Sequence, residues 1–139
     1  MIKENIIQNL ELPSKVDSLL EIEAFIDSVC DKYAIGEDHY GNILIALTEA
    51  INNAINHGNK LDPNKKVNLN MKSEQNNLCF VIKDEGLGFD YDNIPDPTLP
   101  ENLTKLNGRG VFLMKSLADE VLFEENGTSI TLKFTLSAN

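Results

Sequence analysis

The chain has 139 residues, 22 of them acidic against 12 basic, for a formal net charge of −10. That length suits one domain around one core, and a hydrophobic fraction of 42% argues against disorder over the whole length. The acidic balance, with no basic run, argues against duplex DNA, RNA or an anionic membrane as partner, although one nucleotide remains within reach of local geometry.

Ile6, Ile7, Leu10 and Leu12 precede Pro13 and predict a strand over residues 4–12, at a sheet edge, closed by Pro13 and Ser14. Ser14 is also placed to cap a first helix. Val16, Leu19, Leu20, Ile22, Ala24, Phe25, Ile26 and Val29 recur at amphipathic spacing as far as about Tyr33, with Asp17 and Glu21 in the early turns. Gly36 breaks the pattern and Glu37-Asp38 opens a second helix. Tyr40, Ile43, Leu44, Leu47, Ala50, Ile51, Ala54 and Ile55 mark its core side, and Gly58 is its expected cap.

Residues 67–71 alternate, with Val67, Leu69 and Met71 on one face. Glu74-Gln75-Asn76-Asn77 reads as a turn, and 78–83 as a near-continuous apolar strand, central in its sheet, that closes a hairpin. Asp84-Glu85-Gly86-Leu87-Gly88-Phe89-Asp90 is a glycine-hinged acidic loop. The stretch to Asn107, with Pro95, Pro97 and Pro100, is too long for a plain connector and reads as a lid over about 89–107. Gly108-Arg109-Gly110 leads into a short helix over 111–118, in which Phe112-Leu113-Met114 reads as core. A strand at 120–124, a tight turn at Asn126-Gly127 and a strand at 129–136 complete the chain. This order predicts a single α+β domain spanning 1–139, a two-layer sandwich with a mixed, mostly antiparallel sheet and helices on one face.

Cys30 and Cys79 are the only cysteines, and their apolar contexts and wide separation suit free thiols in a reducing cytosol. The N-terminus lacks signal-peptide character and no run reaches membrane length, so a soluble cytoplasmic protein is expected.

Glu49, Asn53 and His57 lie four residues apart and stack on one face of the second helix. A Glu beside an Asn one turn on offers a proton acceptor next to an oxygen ligand for Mg²⁺. Taken alone, the stretch reads slightly better as a helix end fraying into Gly58. Gly86-x-Gly88 and Gly108-x-Gly110 each mark turns, and neither continues into a P-loop or dinucleotide fingerprint. Asp84, Asp90 and Asp92 lack calcium-loop spacing, and His39 and His57 lack a third ligand. The features gain weight together. Glu49 and Asn53 end a helix, Asp84 ends a central strand, and Gly108-Arg109-Gly110 stands at a helix N-terminus. Free N–H groups and the helix dipole form a phosphate cradle there, and Arg109 adds charge-assisted bonds.

With these motifs in this order, nearly the whole chain resembles the Bergerat-fold ATPases, the superfamily of type II topoisomerases, a heat-shock chaperone, mismatch-repair ATPases and histidine-kinase catalytic domains. Within it the chain is most similar to the small bacterial anti-sigma-factor serine kinases. Residues 49–58 match the N box, 84–89 the first glycine box, 108–114 the second, and Gly127-Thr128 the motif near the last strand. The resemblance implies ATP and Mg²⁺ as cofactors. It implies that Asn53 ligates Mg²⁺, that Asp84 accepts from the adenine amino group, and that Gly86 and Gly88 belong to the base-binding box, Gly88 letting the base pack closely. Gly108, Arg109 and Gly110 would meet the phosphates, Thr128 would approach the adenine side, and Glu49 would be the general base. Asn52 and Asn56 would be structural, and His57 a packing or orienting residue.

The chain is too short for a topoisomerase-type member and has no phosphorylatable-histidine helical domain ahead of the N box, so it resembles a stand-alone member. The resemblance then implies transfer of the ATP γ-phosphoryl group to a serine of a small anti-anti-sigma antagonist protein. It further implies sequestration of a sigma factor and a homodimer. An alternative is a nucleotide-gated binding module with little phosphotransfer, and a third is an interaction domain with no nucleotide. Glu49 favours the enzyme, because a pure binder needs no base.

Overall fold

Strict alternation of apolar residues organises the sheet. The computed structural model describes residues 7–32, 34–74, 76–86 and 106–136. In chain order the elements are β1 (Ile7–Pro13), α1 (Ser18–Lys32), α2 (Glu37–Asn53) continued by a π turn (Ala54–Gly58), β2 (Lys66–Glu74), β3 (Asn77–Lys83), α3 (Leu106–Leu117), β4 (Glu120–Glu124), a short 3₁₀ turn (Glu125–Gly127) and β5 (Ser129–Thr135). The strands form one five-stranded sheet in the order β1-β2-β3-β5-β4. Each pairing is antiparallel. Thus β1 is an edge, as its proline suggested, and β3 is central.

Leu12, Val67, Leu69, Met71, Leu78, Phe80, Ile82, Ile130, Leu132 and Phe134 all point to one buried face. The helices cover that face with Ile22, Ile26 and Val29 from α1, Ile43, Leu47, Ala50 and Ile51 from α2, and Val111 and Met114 from α3. Phe80 and Phe134 meet edge to face at 6.0 Å between ring centres, a geometry worth about 1 kcal/mol beyond its burial. Asn70 and Lys72 lie exposed on the open face. This is the two-layer α+β sandwich expected from the element order.

Several expectations are corrected. Helix α1 begins at Ser18, so Val16 lies ahead of it and is 60% exposed, while Leu20 is 70% exposed. Leu20 sits two residues from Ile22, about 200° around the helix from the core stripe. Ser14 does not cap α1; it is buried, and its hydroxyl donates to the Lys65 carbonyl. Met114 is core, but Phe112 is 46% exposed. Cys30 and Cys79 are both free, Cys30 buried and Cys79 half-buried. Leu106 and Asn107, assigned to the lid, belong to α3. The rest of the lid and Gly88 lie outside the described residues. Among the described residues no helix is long and apolar enough to cross a membrane.

The topology places the loops that matter. β5 returns beside β3, so Lys83 pairs with Ser129 and the Asp84 N–H continues the ladder to the Thr128 carbonyl at 2.9 Å. Residues forty-odd apart in sequence therefore leave the sheet side by side, at the same end as the π turn.

Candidate nucleotide site

Helix α2 carries the site along one side. Its regular part ends at Asn53, and the chain then widens into the π turn, closed by the Asn59 N–H donating to the Ala54 carbonyl at 2.8 Å. Gly58 is not the left-handed cap expected from the sequence. That conformation falls on Lys60 and Leu61, at φ 53° and 58°, and Gly58 serves close approach instead. A Cβ on Gly58 would lie 2.5 Å from the Asp84 carboxyl carbon. A Cβ on Gly86 would lie 2.0 Å from the Gly58 carbonyl oxygen. Two glycines thus let the exit of β3 press its carboxylate onto the end of α2.

Asp84 is held there from several directions. One carboxylate oxygen accepts the Gly86 N–H at 2.8 Å. Burial pushes its pKa above the ordinary 3.8, and the Gly86 N–H and the Lys65 ammonium offset this only in part. Beside it, the Thr128 hydroxyl donates back to the Glu125 carbonyl at 2.7 Å, so its lone pairs are what it presents outward.

Asn53 stands five residues before Gly58, roughly 7 Å along the axis, and Glu49 one turn further. Both head groups meet α3 at Gly110. A Cβ there would lie 2.8 Å from the Asn53 amide nitrogen and 3.2 Å from a Glu49 carboxylate oxygen. Asn53 is only 8% exposed. Among the described residues Glu49 makes no ion pair.

The second glycine motif sits differently from its expectation. Helix α3 starts at Leu106, so Gly108-Arg109-Gly110 lies inside the helix rather than ahead of it. Only the first four N–H groups of a helix lack an internal acceptor, which here are those of Leu106, Asn107, Gly108 and Arg109. Gly110 falls just beyond them; its bare Cα admits Glu49 and Asn53. His57, expected to pack or orient, is exposed in the π turn, where the wider winding breaks the four-residue stacking. Asn52 and Asn56 hold each other, the Asn56 amide donating to the Asn52 carbonyl at 2.9 Å and side-chain oxygen at 2.6 Å.

The structure therefore brings Glu49, Asn53 and Gly110 together at one point, and Asp84, Gly86 and Thr128 together with Gly58 at another. The sequence reading missed Asn59. Its side chain bonds Ser14 and Glu85, 45 and 26 residues away. No local pattern carries such partners; an amide directly after His57-Gly58 was the only signal available.

A family model described as a histidine kinase-like ATPase domain matches residues 12–134. The chain belongs to that family. The motifs that define the two points above all fall inside the matched segment. Serine-protein kinase RsbW of Staphylococcus aureus strain JH9 is 29% identical over 138 residues, covering 94% of this chain and 86% of the relative. RsbW of strain Newman matches to the same extent. A crystal structure of the RsbU and RsbW domains of a Mycobacterium tuberculosis protein superposes with a TM-score of 0.66 at 15% identity. It shares the fold over 96% of this chain, which spans 33% of that longer one.

Proposed function

We propose that this protein binds Mg-ATP between α2, the exit of β3 and the start of α3, and transfers the γ-phosphoryl group to a serine of a small anti-anti-sigma protein. The observation that carries this reading is the pairing of Glu49 and Asn53 against Gly110, one stretch of helix away from a half-buried carboxylate at Asp84. Kinship with the RsbW serine-protein kinases supports the reaction class.

The donor chemistry fits the group. Asn53 offers one neutral oxygen, which suits a Mg²⁺ ion that keeps water and phosphate oxygens as its other ligands. When bound, the ion supplies charge neutralisation at the phosphates. Asp84, ionised, accepts the adenine amino hydrogen. A guanine would present a carbonyl oxygen to the same carboxylate, so this contact selects adenine. Gly86 shapes the base side, and Thr128 offers lone pairs beside it. The N–H groups of Gly108 and Arg109 face the phosphates in the first turn of α3, with Gly110 allowing that turn to approach. Glu49 takes the proton from the attacking serine hydroxyl.

In this reading the protein also holds a sigma factor, works as a homodimer and resides in the cytoplasm. The test is transfer of label from γ-labelled ATP to candidate anti-anti-sigma proteins by the wild type and by Glu49→Ala. The reading expects transfer by the wild type and a loss of about a thousandfold in the variant, with ATP affinity retained. Nucleotide binding with equal, trace transfer by both proteins would favour a nucleotide-gated binding module instead.

A further inference from the structure

We infer that Asn59 is a positioning residue for adenine selection, an amide that fixes the Asp84 loop to the end of α2 without touching the nucleotide. The inference rests on the reading of Asp84 as the base-selecting carboxylate.

Asn59 is 1% exposed and its polar groups are all engaged. The amide nitrogen donates to the Ser14 hydroxyl at 2.9 Å and to the Lys66 carbonyl at 3.0 Å. The amide oxygen accepts the Glu85 N–H at 2.7 Å. Its own N–H closes the π turn on Ala54, and its carbonyl accepts the Asp62 N–H at 3.0 Å. One side chain thereby joins the end of β1, the start of β2 and the residue that follows Asp84.

Glu85 is gripped a second time, because its carboxylate accepts the Lys66 N–H at 2.5 Å. Asp84 is then fixed on both sides, by its own N–H on Thr128 and by the neighbouring peptide on Asn59. Asn59 directly follows the helix that carries Glu49 and Asn53. It therefore sets the distance between the group that reads the base and the groups that act at the phosphates. Few side chains can replace it. Asp lacks the two donors, Gln is one methylene too long for a packed site, and an apolar residue takes the acceptor away from the part-buried Glu85 N–H.

The experiment is equilibrium titration with Mg-ATP and Mg-GTP of the wild type, Asn59→Ala, Ser14→Ala and Asn53→Ala. For Asn59→Ala the inference expects ATP to bind about tenfold more weakly and the preference for ATP over GTP to fall by a similar factor. Asn53→Ala, acting at the phosphate end, weakens both nucleotides alike. Ser14→Ala removes the acceptor for one Asn59 amide hydrogen, together with the donor to the Lys65 carbonyl; it moves the preference in the same direction by about two- to threefold, and it decides the matter if Asn59→Ala does not fold. An unchanged ATP preference in Asn59→Ala, or in Ser14→Ala where that variant decides, overturns the inference while leaving the nucleotide site standing. Failure of the wild type to bind either nucleotide overturns both.

Discussion

Asp84 and the Glu49–Asn53 pair are held in place by different means. Asp84 is fixed through backbone: its N–H lies on Thr128, its carboxylate on the Gly86 N–H, and the next peptide on Asn59, with glycine backbone packed on both sides. Glu49 and Asn53 project from one helix and meet a second helix at a glycine, side chain against bare Cα. The first arrangement suits recognition, where a carboxylate must keep one position. The second suits chemistry on a triphosphate, where head groups must be able to adjust as charge and metal arrive. Shape error should therefore be tolerated far less at Asp84 than at Gly110.

The largest expected effect is at Gly86. A Cβ there meets the Gly58 carbonyl at 2.0 Å, backbone against backbone, and neither side can turn away. Gly86→Ala should lower unfolding free energy by about 3 kcal/mol and abolish measurable Mg-ATP binding, as read by denaturant melts and nucleotide titration. A variant that binds ATP normally would show that the contact between the β3 exit and α2 is not needed.

Asp84→Asn separates stability from function. The folded pKa of Asp84 is raised, so its favourable contribution to stability is present below the ordinary value of 3.8 and is lost as pH rises through the folded value. At neutral pH the half-buried charge is a cost, and Asn keeps an oxygen for the Gly86 N–H. The nucleotide-free variant should melt at or above the wild-type temperature, while its ATP affinity falls by about ten- to a hundredfold. Wild-type ATP affinity should also fall as pH drops through the raised pKa. The variant should lack that step in a pH series of titrations.

The smallest effect on stability is expected at Gly110. A new Cβ meets only the ends of Asn53 and Glu49, which can rotate aside, and alanine gains about 1 kcal/mol of helix propensity. Gly110→Ala should stay within about 1 kcal/mol of wild type in melts, yet lose phosphotransfer by about tenfold or more through misplaced head groups. A large loss of stability with full activity per folded molecule would reverse the comparison.

Much of the fold was legible because it follows from period. The alternation at Val67, Leu69 and Met71 and the helical spacing from Ile43 to Ile55 both survive as buried faces. Leu20 misled because an apolar residue off the stripe looks the same in sequence as one on it. The site was legible as a set of motifs, but not as a geometry. Gly58 read as a cap because glycine after a helix most often is one, whereas its cause is the carboxylate of a residue 26 positions on. Asn59 was invisible for the same reason. Gly108-Arg109-Gly110 read as preceding its helix because glycine disfavours helix interiors, and here the approach of Glu49 and Asn53 overrides that propensity.

A melting curve with and without Mg-ATP, on wild type and Asn53→Ala, tests the central claim most directly. A ligand that binds only the folded state must raise its apparent stability, by about 2.7 kcal/mol at a hundred times the dissociation constant. The account predicts an upward shift of several degrees in the wild type that shrinks in Asn53→Ala. No shift in the wild type at millimolar Mg-ATP would contradict it, and the juxtaposition of Glu49, Asn53 and Asp84 would then be a feature of the fold rather than a nucleotide site.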